Sequence, residues 1–215
     1  MINIRLEEDG AFVEIKKNKV STWKKVSVED IVAALTKSIG KRVSATPEPS
    51  PVLPPGTIGY IKYPDNPKHY TVVMHQNAIR GSIEYCDRPY DNIGIPASIW
   101  KFEVIENRLY RTDVWAITQE TKIMRPEVPL YCFPFYNVDS TGKLCMGANN
   151  VKIEAPWELF KAPGTIMAMP STRAYPFRNN AGLDGDSLFR NLQGIDFPDN
   201  WLVPANKTLG QILNN

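Results

Sequence analysis

A cysteine and an asparagine eight residues apart are the side chains whose types and spacing best suit acyl-transfer chemistry. Asn137 and Cys145 flank a turn sequence at 139–142, which includes a glycine that permits a positive φ or a close backbone approach. A thiolate is a nucleophile for acyl transfer, and a nearby amide N–H can stabilise the tetrahedral oxyanion, an effect worth about 2.7–4 kcal/mol in a protease. The alternative is structural: a cysteine between Leu144 and Met146 is typical of a small buried hydrophobe, and an asparagine here of a turn.

The segment around these two residues resembles the active-site signature of ubiquitin-conjugating enzymes. In that family an asparagine is followed by a turn with glycine and then by the catalytic cysteine between apolar residues. Residues 135–146 (FYNVDSTGKLCM) match this spacing without a gap. The His and Pro that precede the family's asparagine are replaced here by Phe135 and Tyr136. Downstream, 156–160 (PWELF) is similar to the tryptophan segment that follows the cysteine in the family.

A narrower resemblance is to the prokaryotic ubiquitin-conjugating-enzyme-like family D, which includes the PRTRC system protein B group. This resemblance is concentrated in residues 125–147 and extends over about 50–213. The matching pieces are Arg125-Pro126, 129–131, 134–138, 142–147, 53–56, 79–85, Phe197-Pro198 and Thr208-Leu209. It implies a ubiquitin-conjugating-enzyme-like fold and a bacterial enzyme that carries a ubiquitin-like protein.

The resemblance also implies a mechanism and a set of partners. A ThiF/MoeB-like activating enzyme would hold the C-terminus of a ubiquitin-like protein as a thioester, and Cys145 would attack it and take the acyl group. Asn137 would orient the loop or stabilise the oxyanion, and an amine, often a lysine, would then receive the acyl group. A JAB-type deconjugating peptidase would be a neighbour in the same operon. The biological setting, antiviral defence or plasmid maintenance, stays open.

Other interpretations remain for several of these residues. The chain is alternatively a non-catalytic scaffold module that binds a ubiquitin-like protein or its activating enzyme, or a structural or plasmid-maintenance protein with a buried thiol. Asp184 and Asp186 either act on an incoming lysine as weak acids or bases, or cap the helix that starts beside them. The aromatic run 131–136 is expected to be core beneath the active-site loop, with a groove for the partner's C-terminal tail as the alternative.

Composition excludes several classes of function. The net charge of +2 is too even to favour nucleic acid. The three cysteines have no CxxC or Cys/His spacing, so neither a disulfide framework nor a metal site is expected. The sequence contains no Gly-rich phosphate loop, because 161–164 is interpreted as a turn, and no nucleotide site is expected either. No cofactor is therefore expected. A Cys–His hydrolase would need one of the two histidines beside Cys145. His75 is instead expected on a strand and His69 in a surface turn. The start lacks a signal-peptide pattern and no apolar run reaches about 20 residues, which predicts a reducing cytoplasm.

The pattern of polarity predicts where these residues are held. Residues 2–6 and 11–15 alternate around a turn and predict a hairpin, and Ser27 is expected to cap a helix through about Ile39. The five prolines of 44–56 predict an extended linker. The predicted domains are an N-terminal hairpin plus helix at 1–45, a Pro-rich linker at 46–56 and a catalytic domain at 57–215. We expect the first to be a partner-docking lobe or an additional sheet edge.

The larger domain is expected to be α+β, an antiparallel β-meander with flanking helices and a long irregular active-site segment. The strands are predicted at 57–63, 70–75, 80–85, 98–104 and 109–118. Regular periodicity fades from about 124 to 172, and such a long segment is more often functional than idle. Short helices are predicted at 184–192 and 208–213.

Overall fold

The computed structural model describes residues 3–7, 10–17, 20–39, 49–135, 137–169 and 175–214 of the 215. Contacts divide the chain into two compact units, residues 1–49 and 50–215. The predicted linker at 46–56 begins in residues outside this description.

The first unit contains a three-stranded antiparallel sheet and one helix. The strands follow each other in the order β1 (Ile4–Glu7), β2 (Gly10–Lys17) and β3 (Val20–Val26), and α1 covers Val28–Ile39. The backbone N–H of Asp30 donates to the Ser27 hydroxyl at 2.9 Å, which is the predicted N-cap. The third strand was not predicted. Its sequence, VSTWKKV, places apolar residues three apart, which is not the period of two that marks a strand with one buried face.

The second unit is built on a six-stranded antiparallel sheet in the order β11-β10-β9-β8-β5-β4. Its strands are β4 (Thr57–Lys62), β5 (His69–Gln76), β8 (Ser98–Ile105), β9 (Arg108–Ala116), β10 (Pro129–Cys132) and β11 (Pro204–Thr208). Strand β11, at one edge of this sheet, and its neighbour β10 are short and were not predicted. The mostly antiparallel pairing confirms the α+β class.

A separate hairpin interrupts the predicted meander. Strand β6 (Ile79–Tyr85) pairs with β7 (Arg88–Ile95) in a two-stranded sheet, instead of continuing the main sheet. No strand was predicted between 85 and 98, where β7 lies. The turn is Cys86-Asp87, with φ of 50° and 62°, and two central residues at positive φ form the hairpin turn that twisted strands prefer. Cys-Asp lacks the Asn-Gly signal by which such turns are recognised.

The helices of the second unit are short. They are a 3-10 helix at Pro156–Lys161, α2 (Ala162–Met167), α3 (Gly185–Leu192), a 3-10 turn at Asp199–Trp201 and α4 (Leu209–Leu213). The predicted α3 and α4 are confirmed. The interpretation of 161–164 as a turn is wrong, because α2 begins at Ala162. Pro163 lies in its first turn, where the missing N–H has no intrahelical partner to lose.

Aromatic side chains form the core between the inner face of the sheet and the elements that cover it. Trp100 and Phe102 stack at 5.7 Å on β8, and Phe133 and Phe135 follow β10. Phe189 of α3 lies 5.6 Å from Phe135. The core thus joins the end of β10 to α3, and Cys145 lies in the segment of sequence between these two elements. On the other face, α4 packs against a smaller apolar cluster.

Candidate active site

Cys145 lies where the chain leaves the edge of the main sheet. Residues 142–144 run along β9, with the N–H of Leu144 donating to the Thr112 carbonyl at 2.9 Å. The chain returns at Val151, whose carbonyl accepts from the N–H of Leu109 at 2.9 Å. Residues 145–150 lie between these two attachments, and Cys145 is exposed. The thiol is therefore not the small buried hydrophobe that its apolar neighbours suggested.

The thiol is held on a short hairpin, residues 137–145. The N–H of Cys145 donates to the Asn137 carbonyl at 2.7 Å, and Val138 forms a β-bridge with Leu144. Both bridge residues are buried, so the hairpin is anchored in the core on its inner side. Asn137 has a φ of 62°, a conformation in which asparagine is enriched among non-glycine residues. The structure brings Cys145 and Asn137 together through the backbone. The predicted oxyanion role of the carboxamide stays a prediction.

Asp139 fixes the turn of this hairpin. One carboxylate oxygen accepts from the N–H of Thr141 at 2.7 Å, from the Thr141 hydroxyl at 2.7 Å and from the N–H of Lys143 at 3.1 Å. Burial of Asp139 favours its neutral form, but the hydrogen bonds from Thr141, Lys143 and Gly142 outweigh it and lower the pKa of the carboxyl group below 3.8. The turn is thus organised around an ionised side chain.

The hairpin should therefore loosen in acid. A depressed pKa contributes stability above the pKa of the unfolded chain, and this contribution is lost as the pH falls through the folded value. We expect the amide protons of Thr141 and Lys143 to exchange faster as the pH falls below the ordinary aspartate pKa of about 4, measured by NMR against amides of β8. Asp139→Asn keeps an acceptor oxygen but does not titrate, so its hairpin should lack this pH dependence. An equal acid response in wild type and variant would contradict the assignment.

The back of the turn rests on a buried tryptophan. A Cβ atom added at Gly142, which has a φ of 95°, would lie 2.4 Å from Cε2 of Trp115. The ammonium of Lys207 lies 5.6 Å from the centre of the indole ring and donates to the Thr141 carbonyl at 2.9 Å. Trp115 is 4% exposed. Gly142 is therefore required both by its conformation and by its neighbour, as its place in the sequence predicted.

A cavity of about 250 Å³ opens beside the thiol. Cys145 and Asn137 lie on its wall, and the rest of the lining is mostly apolar. The lining side chains include Phe133, Phe135, Leu144, Met146, Ile166, Met167 and Met169. The predicted core role of the aromatic run holds for Phe133 and Phe135, which are buried. Both rings also line this cavity. The two interpretations, a core role and a groove beside the thiol, therefore apply to the same two side chains. Tyr136 lies outside the described residues.

Tyr175 is a further side chain at the thiol that was not predicted. The negative charge of ionised Cys145, desolvation and a hydrogen bond with Cys145 raise the pKa of Tyr175 above its ordinary value. Tyr175 lies thirty residues after the cysteine, among prolines and asparagines with no local motif. No spacing rule in the sequence connects a tyrosine there to the thiol. Only the folding of the chain brings the two together.

Tyr175 also lines a second cleft, of about 590 Å³, together with Asp184 and Asp186. Asp184 accepts from the N–H of Ser187 at 3.2 Å and caps α3, as the structural alternative expected. Asp186 accepts from the Tyr90 hydroxyl and lies 3.2 Å from Nη1 of Arg88. Both carboxylates therefore have structural partners, and both border the same cleft. Their role toward an acceptor stays a prediction.

The remaining candidates are placed as follows. Cys86 and Cys132 are half-buried. His75 lies on β5, as predicted, and burial lowers its pKa, assisted by the charge of Lys122. His69 is also on β5 rather than in a surface turn, and its Nε2 lies 2.9 Å from a Glu103 carboxylate oxygen. Neither histidine lines the cavity beside Cys145.

The described part of the chain shows neither of two other kinds of site, a metal centre or a membrane-spanning helix. Among these residues, no three His, Cys, Asp or Glu side chains are grouped as a metal ion would require. No helix among them has the length and apolar character needed to cross a membrane. In comparisons with protein-family models, curated proteins and solved structures, no match to this chain was found. The function is therefore argued from the site itself.

Proposed function

We propose that this protein is a ubiquitin-conjugating-like acyl transferase that carries a ubiquitin-like protein as a thioester on Cys145. The observation that carries the proposal is an exposed thiol on a hairpin fixed to the sheet edge, in the run that resembles the family's signature. A nucleophile for a protein substrate must be reachable by a large partner, and exposure at the end of an anchored hairpin provides this. Within this proposal, residues 50–215 form a divergent ubiquitin-conjugating-enzyme-like fold.

The chemistry has two balanced steps. The Cys145 thiolate attacks the thioester carbonyl presented by a ThiF/MoeB-like activating enzyme, and the thiolate of that enzyme leaves as the new thioester forms. An amine then attacks the Cys145 thioester, loses a proton, and releases the Cys145 thiolate with formation of an amide. The Asn137 carboxamide is proposed to stabilise the oxyanion in both steps. Neither step requires a cofactor, and a reducing compartment such as the cytoplasm would keep the thiol free.

The acceptor amine is proposed to approach from the cleft that contains Asp184 and Asp186. This cleft and Cys145 share Tyr175 as a neighbour, so an amine in the cleft would lie on the open side of the thioester. Carboxylates there attract an ammonium ion and orient it before it loses its proton. A JAB-type peptidase would reverse the modification.

The test is reconstitution with ATP and the two proposed partners, a ThiF/MoeB-like activating enzyme and a ubiquitin-like protein from the same genome. We expect a one-to-one adduct on wild type that dithiothreitol removes, detected by non-reducing electrophoresis and intact mass. Cys145→Ala should lose it completely, and Cys145→Ser should give an oxyester that resists the reductant. Cys132→Ser serves as the matched control, since this half-buried thiol should be dispensable.

Two outcomes would oppose the proposal. An adduct that persists in Cys145→Ala would place the chemistry on another residue. A stable complex of the three proteins without any adduct would favour the non-catalytic scaffold, to which the replacement of the family's His and Pro by Phe135 and Tyr136 gives some support.

A further inference from the structure

The apolar cavity beside Cys145 has no part in the two chemical steps. Its floor consists of buried side chains from three separate segments: Phe135 after β10, Leu144 of the hairpin and Ile166 of α2. Core packing normally leaves few voids larger than a water molecule. A hollow of about 250 Å³ is several times the roughly 30 Å³ share of a water in the liquid. It opens at the wall where the nucleophile lies.

The size of the cavity limits what it can hold. It is smaller than the roughly 300–1,000 Å³ typical of sites for small organic ligands. A sphere of this volume is about 8 Å across, the span of two to three extended residues at 3.3–3.6 Å each. This is room for one large apolar side chain, and too little length for an extended long-chain fatty acyl group.

We propose that the cavity selects the acyl donor by one apolar side chain within its last three residues. This inference rests on the proposed function. The donor's C-terminal carbonyl becomes bonded to the Cys145 sulfur, which is itself part of the cavity wall. The residues just before that carbonyl must therefore pass the cavity mouth. The occupant is thus fixed by the covalent chemistry: it is the tail of the carried protein.

The lining indicates which side chains fit. Three methionines, Met146, Met167 and Met169, contribute flexible and polarisable walls that can adapt to different apolar shapes. Leu, Met and Phe should therefore all be accepted. Asp and Lys should not, because a charge buried there would lack a partner and would be costly to desolvate. An alanine would leave most of the cavity empty.

Short synthetic thioesters test this selectivity without any partner protein. The probes are mercaptoethanesulfonate thioesters of acetylated tripeptides in which Leu, Phe, Ala, Asp or Lys occupies each position in turn and Gly the others. The rate of Cys145 acylation is measured by intact mass, and glutathione in the same solution reports each donor's intrinsic reactivity. We expect Leu and Phe donors to react about 10- to 100-fold faster than Ala donors at one position, relative to glutathione.

Two cavity variants and a control make the result specific. Met169→Trp, at a half-buried wall position, should reduce the Leu-to-Ala ratio toward one by filling the cavity. Ile166→Ala should enlarge the cavity and shift the preference from the Leu donor toward the larger Phe donor. Ile123→Trp adds the same ring at an exposed position that does not line the cavity and should leave the ratio unchanged. Because Met169→Trp is at the wall and not in the floor, it tests the cavity even if Ile166→Ala folds poorly.

The possible failures can be told apart. Equal rates for all tripeptides, or faster acylation from palmitoyl-coenzyme A than from any of them, would overturn the selective cavity and leave the thioester carrier intact. Reaction of Cys145 with iodoacetamide but with no thioester at all would overturn the proposed function itself, and the selectivity with it.

Discussion

Replacing Gly142 by alanine should destabilise the second unit by about 2–6 kcal/mol or displace the hairpin that holds Cys145. The backbone there has a φ of 95°, and an L-residue held in such a region costs about 1–3 kcal/mol. The added Cβ would also lie 2.4 Å from Cε2 of Trp115, and overpacking of this kind costs about 1–3 kcal/mol. The tryptophan cannot retreat easily, since it is buried and Lys207 lies over its ring.

Urea unfolding and the rate of iodoacetamide modification at Cys145 measure the two effects. Gly147→Ala is the matched control: Gly147 has a φ of 57°, but an added Cβ meets nothing within 4 Å. It should cost only about 1–2 kcal/mol of strain. A double-mutant cycle isolates the clash, because Gly142→Ala should be less harmful beside Trp115→Leu. Identical effects of the two alanine substitutions, with no coupling to residue 115, would show that the indole is not the obstacle.

Phe135→Ala should lower the free energy of unfolding of the second unit by about 3–5 kcal/mol, the usual cost of deleting a buried phenylalanine ring. Phe135 is 1% exposed, and its ring lies 5.4 Å from that of Phe133, 5.6 Å from Phe189 and 6.0 Å from Phe197. These contacts join the strand before the hairpin to α3 and to the segment before β11. Total stabilities of about 5–15 kcal/mol make this a large fraction.

The measurement is again urea unfolding, with the m-value as a check that the same surface is exposed. Tyr110→Ala removes an aromatic ring that is 70% exposed on β9 and should cost less than about 1 kcal/mol. The deletion at 135 also merges new empty space with the cavity beside Cys145. We therefore expect the thiol of Phe135→Ala to react faster with iodoacetamide, whereas Tyr110→Ala should match wild type. Similar losses of stability in the two variants would contradict the place of Phe135 in the core.

The elements predicted correctly are those with a strong local pattern. The main strands β5, β8 and β9 are rich in β-branched and aromatic residues, and α3 and α4 each begin after a capping residue, Asp184 and Thr208. The elements that were not predicted lack such signals. Strands β10 and β11 are four and five residues long and take their stability from neighbours that are distant in sequence. Short strands such as these are specified by pairing more than by propensity.

The site divides in the same way. Asn137 and Cys145 lie within one hairpin, so their spacing in the sequence is also their relation in space. Tyr175, Trp115 and Ile166 reach the site from a distant loop, a strand and a helix, and no local periodicity connects them to the thiol. These three residues are brought to the site by long-range packing, which cannot be read from a single sequence. The predicted meander failed at β6 and β7 for the same reason, because strand order depends on partners and not on propensity.

Residues 142–153 also reduce the tendency of the protein to aggregate, because they cover part of the outer side of β9. Strand β9 is paired with β10 only at Trp115 and Ala116, and from Arg108 to Val114 its outer side would otherwise offer open N–H and C=O groups to any passing β-segment. Exposed strand edges with unpaired backbone groups can pair with other copies of the chain and lead to fibril-like aggregates. The segment that carries the thiol covers this side of β9 at Arg108–Leu109 and at Thr112–Val114. Shortening it would therefore expose these groups and favour aggregation.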